Sequence, residues 1–306
     1  MNVLITGASG FLGANLISAW KSSVDVKLFA HSRNLANLQR QISDSINPMS
    51  NCSSEELNKN QIDAIVHLAG IAHDLAGQYR ESDYDQVNFK QTATLFDAFL
   101  ASGATKFIFV SSIKAVIDKA NSPVAEEVSP LPVTPYGKSK LKAEQYIQAK
   151  GTAEGKHFFI VRPCMVHGPL NKGNLNLLYR FVKSGLPFPF GAFQNQRSFL
   201  SVDNFTFVME CLLFKNIASG IYHVADNGYL STVDLVKWIA ACMGKRATVW
   251  SFPAGFIRFV FSFKRGMLEK LTENMMVDNS RIINAIGQPL PVSMKEGLKK
   301  TIQSFK

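Results

Sequence analysis

A tyrosine and a lysine four residues apart could together move a proton. They lie in the run Tyr136-Gly137-Lys138-Ser139-Lys140. If a helix begins at Tyr136, this spacing places both side chains on one face. The pKa of a free phenol is about 10, and a nearby ammonium group favours its ionised form. We therefore interpret Tyr136 and Lys140 as an acid–base pair.

Two serines, Ser111 and Ser112, stand at the end of an apolar run that begins after Lys106. The run predicts a buried strand over Phe107–Ser111. Open parallel sheets bind ligands outside the carboxyl ends of their strands, so the Ser112 hydroxyl could hydrogen-bond a substrate oxygen there. A Tyr-x-x-x-Lys pattern alone is more often a solvated helix face. Its position one strand and one loop after the serines favours the catalytic interpretation.

Glycine occupies every third position of one N-terminal run, Gly7-Ala8-Ser9-Gly10-Phe11-Leu12-Gly13. An apolar strand precedes the run and a helix is predicted over residues 14–21. The free N–H groups and positive end of that helix would face a phosphate. The spacing differs from the general Gly-x-Gly-x-x-Gly fingerprint, and the alternative is a glycine-rich turn without a ligand. The flanking strand and helix favour a pyrophosphate site.

The end of the second predicted strand bears on the choice of cofactor. Val26–Ala30 is followed by His31-Ser32-Arg33-Asn34, which contains no carboxylate. An acidic residue there would bind the ribose hydroxyls of NAD, whereas an arginine accommodates the 2′-phosphate of NADP. Ser32 and Arg33 therefore favour NADP(H), with NAD(H) as the alternative cofactor. The competing interpretation of Arg33 is a solvated side chain.

The first half of the chain alternates apolar strands with helical stretches. Strands are predicted at Asn2–Thr6, Val26–Ala30, Ala64–Leu68, Phe107–Ser111 and Phe158–Arg162. This alternation predicts an α/β fold with a Rossmann doubly wound parallel sheet. After residue 162 the chain becomes rich in Pro, Gly and Phe. We therefore place a dinucleotide-binding Rossmann domain at residues 1–163 and a smaller α/β substrate-binding lobe at residues 164–306.

These features resemble the extended short-chain dehydrogenase/reductase superfamily, in its NAD-dependent epimerase/dehydratase branch, over nearly the whole chain. Further matching segments are His67-Leu68-Ala69-Gly70, Val87-Asn88, Arg162-Pro163, His167-Gly168-Pro169, Lys172-Gly173-Asn174, Pro189-Phe190-Gly191, residues 197–204 and residues 220–224. Residues 111–114, 172–174 and 186–192 are similar to bacterial UDP-N-acetylquinovosamine dehydrogenases, which are nucleotide-sugar 4-ketoreductases.

The motifs and the resemblance together nominate the site residues. The catalytic ones are Ser112, Tyr136 and Lys140. The cofactor-binding ones are Gly7, Ser9, Gly10, Phe11, Leu12, Gly13, Ser32, Arg33, Leu68, Ala69, Gly70, Asn88, Ser111, Tyr136, Lys140 and Pro163. The substrate-binding ones are Ser112, Ile113, Lys114, Tyr136, Asn174, Phe190 and Arg197. The resemblance places Asn174 and Arg197 at a diphosphate, against the alternatives of a helix cap and a surface ion pair. No metal site is expected.

The resemblance also implies a partner and a domain arrangement. The substrate is expected to be a UDP-sugar. Residues 198–224 are expected to return to the first domain. Helices at Asn88–Ser102 and Tyr136–Lys150 resemble those that pair two copies of such a protein into a homodimer.

We expect reduction of a UDP-4-keto-6-deoxy-N-acetylhexosamine at C4 by hydride transfer, with Tyr136 as the proton donor. Arg33 favours this reaction over that of a UDP-hexose or UDP-N-acetylhexosamine 4-epimerase with retained NAD, because a reductase exchanges soluble NADP(H). The third alternative is a non-catalytic NADP-binding redox sensor. The intact Ser112, Tyr136 and Lys140 speak against it.

Two departures from the family pattern bear on this choice. Ile113 replaces the small residue of many epimerases and the acid of the dehydratases. It is expected to narrow the sugar site, and it argues against dehydration. His167 stands where the sugar epimerases usually carry a tyrosine. We interpret it as a packing residue, since lone histidines are more often hydrogen-bonded bystanders.

The net charge of +10 over 306 residues suits an anionic small substrate, and no nucleic-acid partner is expected. Residues 254–265 are too short and too interrupted by charge to span a bilayer. They form either an apolar helix of the substrate lobe or a weak contact with an anionic lipid surface. The four cysteines lack paired spacing and the chain opens with a strand instead of a signal peptide, so we expect a cytoplasmic location.

Overall fold

The structure is a computed structural model that describes residues 1–32, 46–72, 78–171, 173–262 and 265–305. Its strands in chain order are β1 (Asn2–Thr6), β2 (Lys27–His31), β3 (Asn47–Pro48), β4 (Ala64–His67), β5 (Lys106–Val110), β6 (Ala120–Val124), β7 (His157–Pro163), β8 (Met165–His167), β9 (Phe199–Ser201), β10 (Gly220–Val224) and β11 (Met275–Val277).

The α-helices are α1 (Phe11–Trp20), α2 (Ser54–Lys59), α3 (Glu81–Tyr84), α4 (Gln91–Leu100), α5 (Pro135–Lys150), α6 (Asn174–Lys183), α7 (Val202–Phe214), α8 (Thr232–Cys242), α9 (Ala254–Val260), α10 (Arg265–Thr272), α11 (Ser280–Ile286) and α12 (Met294–Gln303). A π-helical segment, Asp85–Lys90, joins α3 to α4, and a 3₁₀ turn, Ile113–Ala115, follows β5.

A parallel sheet of seven strands forms the centre of the molecule, in the order β10-β7-β5-β4-β1-β2-β3. The predicted doubly wound Rossmann fold is confirmed. Each predicted strand is present, with its ends displaced by one residue at most. The strand order reverses direction between β1 and β4, which opens a crevice at their carboxyl ends where such sheets bind ligands.

The sheet is covered on both faces, which explains why its strands are apolar throughout. One face packs with α4 and α5 in a cluster that includes Leu4, Ile65, Phe107, Ile160, Phe96, Phe99 and Ile147. The other face packs with α1 and α7 in a cluster that includes Val3, Val66, Ile108, Val161, Leu16, Phe205 and Leu212. Neighbouring strand residues alternate between these two clusters, as the pleat requires.

A separate apolar cluster forms between α6, α8 and α12, with Tyr179, Leu235, Ile239 and Leu298 among its buried side chains. Short pairings of β8 with β9 and of β11 with β6 lie outside the central sheet. In the described ranges, no helix combines the length and the apolar character needed to span a bilayer. Those ranges also hold no group of three or more His, Cys, Asp or Glu side chains placed to bind a metal ion.

Two later parts of the chain pack against the central sheet. β10 pairs with β7 at one edge. The segment of β11 and α11 also contributes Val277, Ile282 and Ile286 to the cluster on the α1 face. The sequence analysis placed this second segment in the substrate lobe. It lies against the first domain because β11 pairs with β6, which precedes α5.

Buried hydroxyl groups hold His67 at the end of β4. Thr6 Oγ1 lies 2.6 Å from His67 Nδ1, and Thr92 Oγ1 lies 2.8 Å from His67 Nε2. The Thr92 hydroxyl donates to the Asn88 carbonyl oxygen, so it accepts from Nε2–H while Thr6 donates to Nδ1. Burial, followed by the charge of Lys140, lowers the pKa of His67 to about 3. The imidazole is therefore neutral.

Gly7 should not tolerate a side chain. Its φ is +70°, and a Cβ would lie 2.7 Å from the Ala69 backbone nitrogen. We expect Gly7→Ala to lower the free energy of unfolding by about 1–3 kcal/mol, because the backbone is strained for alanine and the contact is too close. Urea unfolding measures this. The control is Gly255→Ala in α9, where a Cβ meets open space; equal effects of the two changes would contradict the argument.

His67 should make the stability depend on pH. The unfolded chain binds a proton at His67 below a pKa of about 6.5, and the folded chain does so only near 3, so stability is complete above pH 6.5 and falls on acidification. We expect His67→Gln to reduce the slope of unfolding free energy against pH between 6.5 and 4.5 by up to about 1.4 kcal/mol per pH unit. Urea unfolding at a series of pH values tests this. The difference in unfolding free energy between parent and His67→Gln at pH 8 measures the cost of the lost packing separately. An unchanged slope of unfolding free energy against pH would contradict the lowered pKa of His67.

Candidate active site

The predicted cofactor residues collect along the carboxyl edge of the sheet. Thr6 and His67 are register partners at the ends of β1 and β4, so the turns that follow them are neighbours. Around this edge lie Phe11 and Leu12 in the first turn of α1, Leu68, Ala69 and Gly70 after β4, Ser111 after β5, and Pro163 at the end of β7.

The glycine turn is compact and open toward solvent. The Gly10 N–H donates to the Gly7 carbonyl oxygen at 2.9 Å. A Cβ at Gly13 would lie 2.5 Å from that same oxygen, so glycine is needed for α1 to approach the turn. Gly10 caps α1 without a side-chain hydrogen bond, and Ser9 and Gly10 are exposed. The first N–H groups of α1 are therefore accessible to an anion.

The end of β2 reaches the same turn. Ser9 Oγ and Ser32 Oγ are 2.8 Å apart, and their hydroxyls hydrogen-bond each other. The predicted pair Ser9 and Ser32 is thus brought together by the fold. Arg33, on which the NADP(H) prediction depends, lies outside the described residues.

Local capping positions Tyr136 in the first turn of α5. The Thr134 hydroxyl accepts a hydrogen bond from the Gly137 N–H at 3.1 Å and so begins the helix. A Cβ at Gly137 would lie 2.2 Å from the Lys114 carbonyl oxygen. Glycine therefore lets α5 pack against the 3₁₀ turn that follows Ser112.

Tyr136 and Ser112 form the centre of the site. The Ser112 hydroxyl lies next to the Tyr136 phenol. This contact lowers the pKa of Tyr136, but burial and then the negative charge of Glu144 outweigh it, so that the pKa is raised. The sequence analysis expected the opposite direction from Lys140. Tyr136 is therefore protonated at neutral pH.

Lys140 is buried beneath this edge. Its Nζ donates to the Val110 carbonyl oxygen at 3.0 Å and lies 4.7 Å from the centroid of the Phe109 ring. Burial lowers the pKa of Lys140 to about 8, while the charge of Glu144 opposes the shift. An ammonium has three N–H donors, and Val110 is its one acceptor within the described part of the chain. Lys140 thus retains donors for a ligand.

Glu144 is a site residue that the sequence analysis missed. It is fully buried one turn after Lys140 on α5, and it accepts hydrogen bonds from the Ser111 hydroxyl and from Arg162. Arg162 Nη2 lies 2.6 Å from Glu144 Oε2, and Arg162 Nε lies 3.0 Å from Oε1. The sequence offered one signal for Glu144: it follows Tyr136 by eight residues and so lies on the same face of the predicted helix.

His223 of β10 completes this buried network. Arg162 Nη1 lies 3.3 Å from His223 Nε2, and His223 Nδ1 lies 3.0 Å from the Val124 carbonyl oxygen. Burial lowers the pKa of His223 to about 4, so its Nδ1–H donates to the carbonyl and Nε2 accepts from the guanidinium. The network joins β5, β7, β10 and α5 behind the catalytic edge.

Asn88 connects the loop after β4 to α5. Its Oδ1 accepts from the Ile71 N–H at 2.7 Å, and its Nδ2 donates to the Ile71 carbonyl oxygen and to Ser139 Oγ, both at 3.0 Å. Ser139 in turn donates to the Tyr136 carbonyl oxygen at 2.8 Å. The predicted cofactor residue Asn88 therefore has its amide committed to protein partners that position Tyr136.

Three predicted substrate residues are placed differently from the expectation. Ile113 is 3% exposed and packs in the core cluster on the α1 face, so it does not narrow the sugar site. Lys114 Nζ pairs with the Asp118 carboxylate at 3.0 Å. Phe190 is 4% exposed and packs against Phe188. The Ile113 and Phe190 side chains are buried because removal of their apolar surface from water is favourable.

Arg197 is half-buried in the second lobe. Its Nη1 donates to the Glu273 carbonyl oxygen at 3.1 Å, and burial lowers its pKa. No carboxylate within the described ranges forms an ion pair with it. The guanidinium therefore keeps donors for an anion. Asn174 is the first residue of α6.

His167 is enclosed, as its interpretation as a packing residue requires. Its Nδ1 lies 2.9 Å from Thr301 Oγ1, and the Thr301 hydroxyl donates to the Gly297 carbonyl oxygen, so His167 is the donor in the first contact. Its Nε2 lies 3.8 Å from Asp226 Oδ2. Burial lowers the pKa of His167 to about 4 and raises that of Asp226 to about 6. The imidazole is neutral at pH 7.

The residues at the carboxyl edge fit a dinucleotide. A Cβ at Gly70 would lie 2.8 Å from Asn88 Oδ1 and 3.3 Å from Lys140 Nζ, so the missing side chain leaves the Lys140 ammonium approachable. The exposed N–H groups at the start of α1 could bind a pyrophosphate, and the Lys140 ammonium could bind a hydroxyl-bearing ring.

Comparison with known proteins supports a dinucleotide site at the carboxyl edge of the sheet. The sequence model of the NAD dependent epimerase/dehydratase family matches residues 3–225. The chain is 29% identical to a UDP-glucose 4-epimerase of Vibrio cholerae, over 99% of this chain and 95% of that protein. It is 25% identical to an N-acetyl-alpha-D-glucosaminyl-diphospho-ditrans,octacis-undecaprenol 4-epimerase of Escherichia coli O157:H7, over 99% and 94%.

Solved structures share the fold. The UDP-glucuronic acid 4-epimerase of Bacillus cereus in complex with NAD superposes with a TM-score of 0.79 at 21% identity, covering 100% of this chain and 98% of that one. The Bordetella bronchiseptica enzyme WbmG in complex with NAD gives a TM-score of 0.80 at 17% identity, covering 100% and 94%. The finer resemblance to 4-ketoreductases stays a prediction. The family model covers residues 3–225, which include the glycine turn and Ser112, Tyr136 and Lys140. This chain therefore belongs to the NAD-dependent epimerase/dehydratase family.

Proposed function

We propose that this protein is a UDP-sugar 4-epimerase that works with an NAD(P) cofactor. The observation that carries the proposal is the placement of the Ser112 hydroxyl next to the protonated Tyr136 phenol at the carboxyl end of β5, with the Lys140 ammonium approachable at Gly70. Two neighbouring hydroxyls at the ligand-binding edge of the sheet can both hydrogen-bond the same substrate oxygen. The family and the 4-epimerases among its relatives support the choice of reaction.

The chain's own residues would hold the cofactor at two places. The N–H groups at Gly10 and the start of α1 would take the pyrophosphate. The Lys140 ammonium, which has donors to spare, would take the hydroxyls of the nicotinamide ribose. When bound, the nicotinamide supplies hydride to a sugar carbon or removes it.

Tyr136 would move the proton at sugar O4. Its raised pKa keeps the phenol protonated at neutral pH, which suits donation to a 4-keto oxygen. Ser112 would polarise the same oxygen while it stabilises the ionised phenol. In the oxidising direction Tyr136 must take the proton from O4. The Ser112 hydroxyl, which lowers the pKa of Tyr136, favours the phenolate required for that step.

Arg197 would bind the substrate diphosphate. A fork of N–H donors matches two phosphate oxygens, and one carbonyl contact at Glu273 orients the guanidinium without neutralising it. Dehydration is the less supported reaction, because apolar Ile113 follows Ser112 where dehydratases carry an acid. The buried position of Ile113 also removes the argument that the sugar site is too narrow for epimerisation.

A second candidate is the 4-ketoreductase reaction with NADP(H), on a UDP-4-keto-6-deoxy-N-acetylhexosamine. It is favoured by Ser32-Arg33 and by the lack of a carboxylate at the end of β2. The two reactions differ in cofactor consumption. An epimerase converts excess UDP-hexose without net change in absorbance of the reduced nicotinamide, whereas a reductase consumes one NADPH for each 4-keto sugar.

Both assays on the purified protein separate these candidates. We expect turnover of a UDP-hexose or UDP-N-acetylhexosamine with substoichiometric cofactor. Stoichiometric NADPH oxidation with a 4-keto sugar, and no epimerisation, would replace the first candidate with the second. Binding of cofactor without either reaction would refute both and indicate a sensor.

Tyr136→Phe should lower turnover by about 10²–10⁴-fold, because it removes the proton donor and little else. Cofactor affinity and the melting temperature should stay close to those of the parent. Tyr146→Phe is the matched control: it lies on the same helix, but its hydroxyl donates to Asp97 at 2.7 Å, away from the site. Parent-like turnover of Tyr136→Phe would exclude the assigned role.

Arg197→Leu should raise the dissociation constant of UDP by roughly 10- to 150-fold, the equivalent of about 1.5–3 kcal/mol for a hydrogen bond to a charged group. Titration calorimetry with UDP alone measures this without knowledge of the sugar. The exposed Arg180→Leu on α6 controls for the loss of one positive charge. Equal UDP affinity in parent and Arg197→Leu would remove Arg197 from the diphosphate site.

A further inference from the structure

An exposed aromatic surface lies on the second lobe, far from any role in the proposed reaction. We define it by Trp250, Phe256, Phe259 and Val260, whose side chains are 51%, 54%, 80% and 39% exposed. Ile257 anchors the same short helix, α9, with 2% exposure. The helix therefore buries one face and presents its aromatic residues outward, against the usual pattern of an amphipathic helix.

The surface is continuous. The Trp250 and Phe252 rings have centroids 6.0 Å apart, and so do the Phe252 and Phe256 rings. Phe259 follows Phe256 by three residues, so the two lie on neighbouring turns of one helix face. A single exposed apolar side chain such as Val24 is common on protein surfaces and needs no partner. A contiguous patch of this kind marks an interaction site.

The segment that carries this surface is basic. From Leu235 to Leu268 the sequence contains six Lys and Arg residues and no Asp or Glu. Lys245 and Arg246 are exposed on the segment that leads to Trp250, and Arg258 is exposed between the two phenylalanines. Glu269 of α10 and Glu273 line one cavity with Arg258, so the excess positive charge beside the aromatic surface comes from Lys245 and Arg246.

We propose that this aromatic surface docks the protein on an anionic lipid bilayer. Aromatic side chains partition into the boundary between headgroups and acyl chains, and basic residues beside them are attracted to anionic headgroups. A second copy of the chain is the weaker occupant, because a symmetric contact would place two basic surfaces against each other. The short helix gives peripheral and reversible attachment. The proposal does not depend on the proposed reaction.

Sedimentation of the full-length protein with vesicles tests this surface. We expect binding to vesicles of phosphatidylcholine with about one third phosphatidylglycerol, and little binding to phosphatidylcholine alone. The double variant Phe256→Ser/Phe259→Ser should lower the partition coefficient at least about tenfold. The double variant Lys245→Ala/Arg246→Ala should lower the partition coefficient by about fivefold for each charge removed. Addition of about 0.5 M NaCl should lower the partition coefficient of the parent by a similar factor.

Phe214→Ser is the matched control. Phe214 is 51% exposed at the end of α7, outside the aromatic surface, so its replacement should leave vesicle binding unchanged. Parent-like binding by the double phenylalanine variant, equal binding to neutral vesicles, or no binding by the parent would each overturn the proposal. A change in oligomeric state of that variant by light scattering, without a change in vesicle binding, would also overturn it and identify a second copy as the occupant.

Discussion

The buried ion pair between Glu144 and Arg162 holds the elements of the candidate active site together. A carboxylate without solvent is tolerated only when it is paired and hydrogen-bonded, and here the guanidinium and the Ser111 hydroxyl satisfy it. The pair joins α5 to β5 and β7. Because Tyr136 and Lys140 share α5 with Glu144, and Ser112 follows Ser111, this ion pair fixes the two halves of the proposed acid–base site relative to each other. Burial raises the pKa of Tyr136, and the negative charge of Glu144 adds to that shift, so the phenol keeps its proton.

Close backbone approaches provide the second constraint. A Cβ at Gly7 or at Gly137 would meet main-chain atoms within 3 Å, in the loop after β4 and in the turn after Ser112 respectively. A main-chain neighbour cannot swing aside as a long side chain can. Any larger residue would therefore displace a whole element, either the phosphate-binding turn or the tyrosine helix. Both parts of the site are thus placed by glycine against rigid neighbours.

Two groups of basic residues have different surroundings. Arg197 lies half-buried with a carbonyl partner, which suits the tight binding of a small anion. Lys245, Arg246 and Arg258 are solvated beside exposed aromatic rings, which suits an extended anionic surface. The same net charge therefore supports two proposals that can fail independently of each other.

The sequence by itself determined the Rossmann fold and predicted the residues of the candidate site, because strand and helix periodicity, glycine spacing and the Tyr136–Lys140 interval are local signals. Only the tertiary structure decided where side chains point. Lys140 turns toward Val110 and Phe109, and the Ile113 and Phe190 side chains turn inward. The partnership of Glu144 with Arg162 and His223 also depends on contacts between elements far apart in the chain. Such long-range packing carries no local pattern, so no spacing rule could predict it.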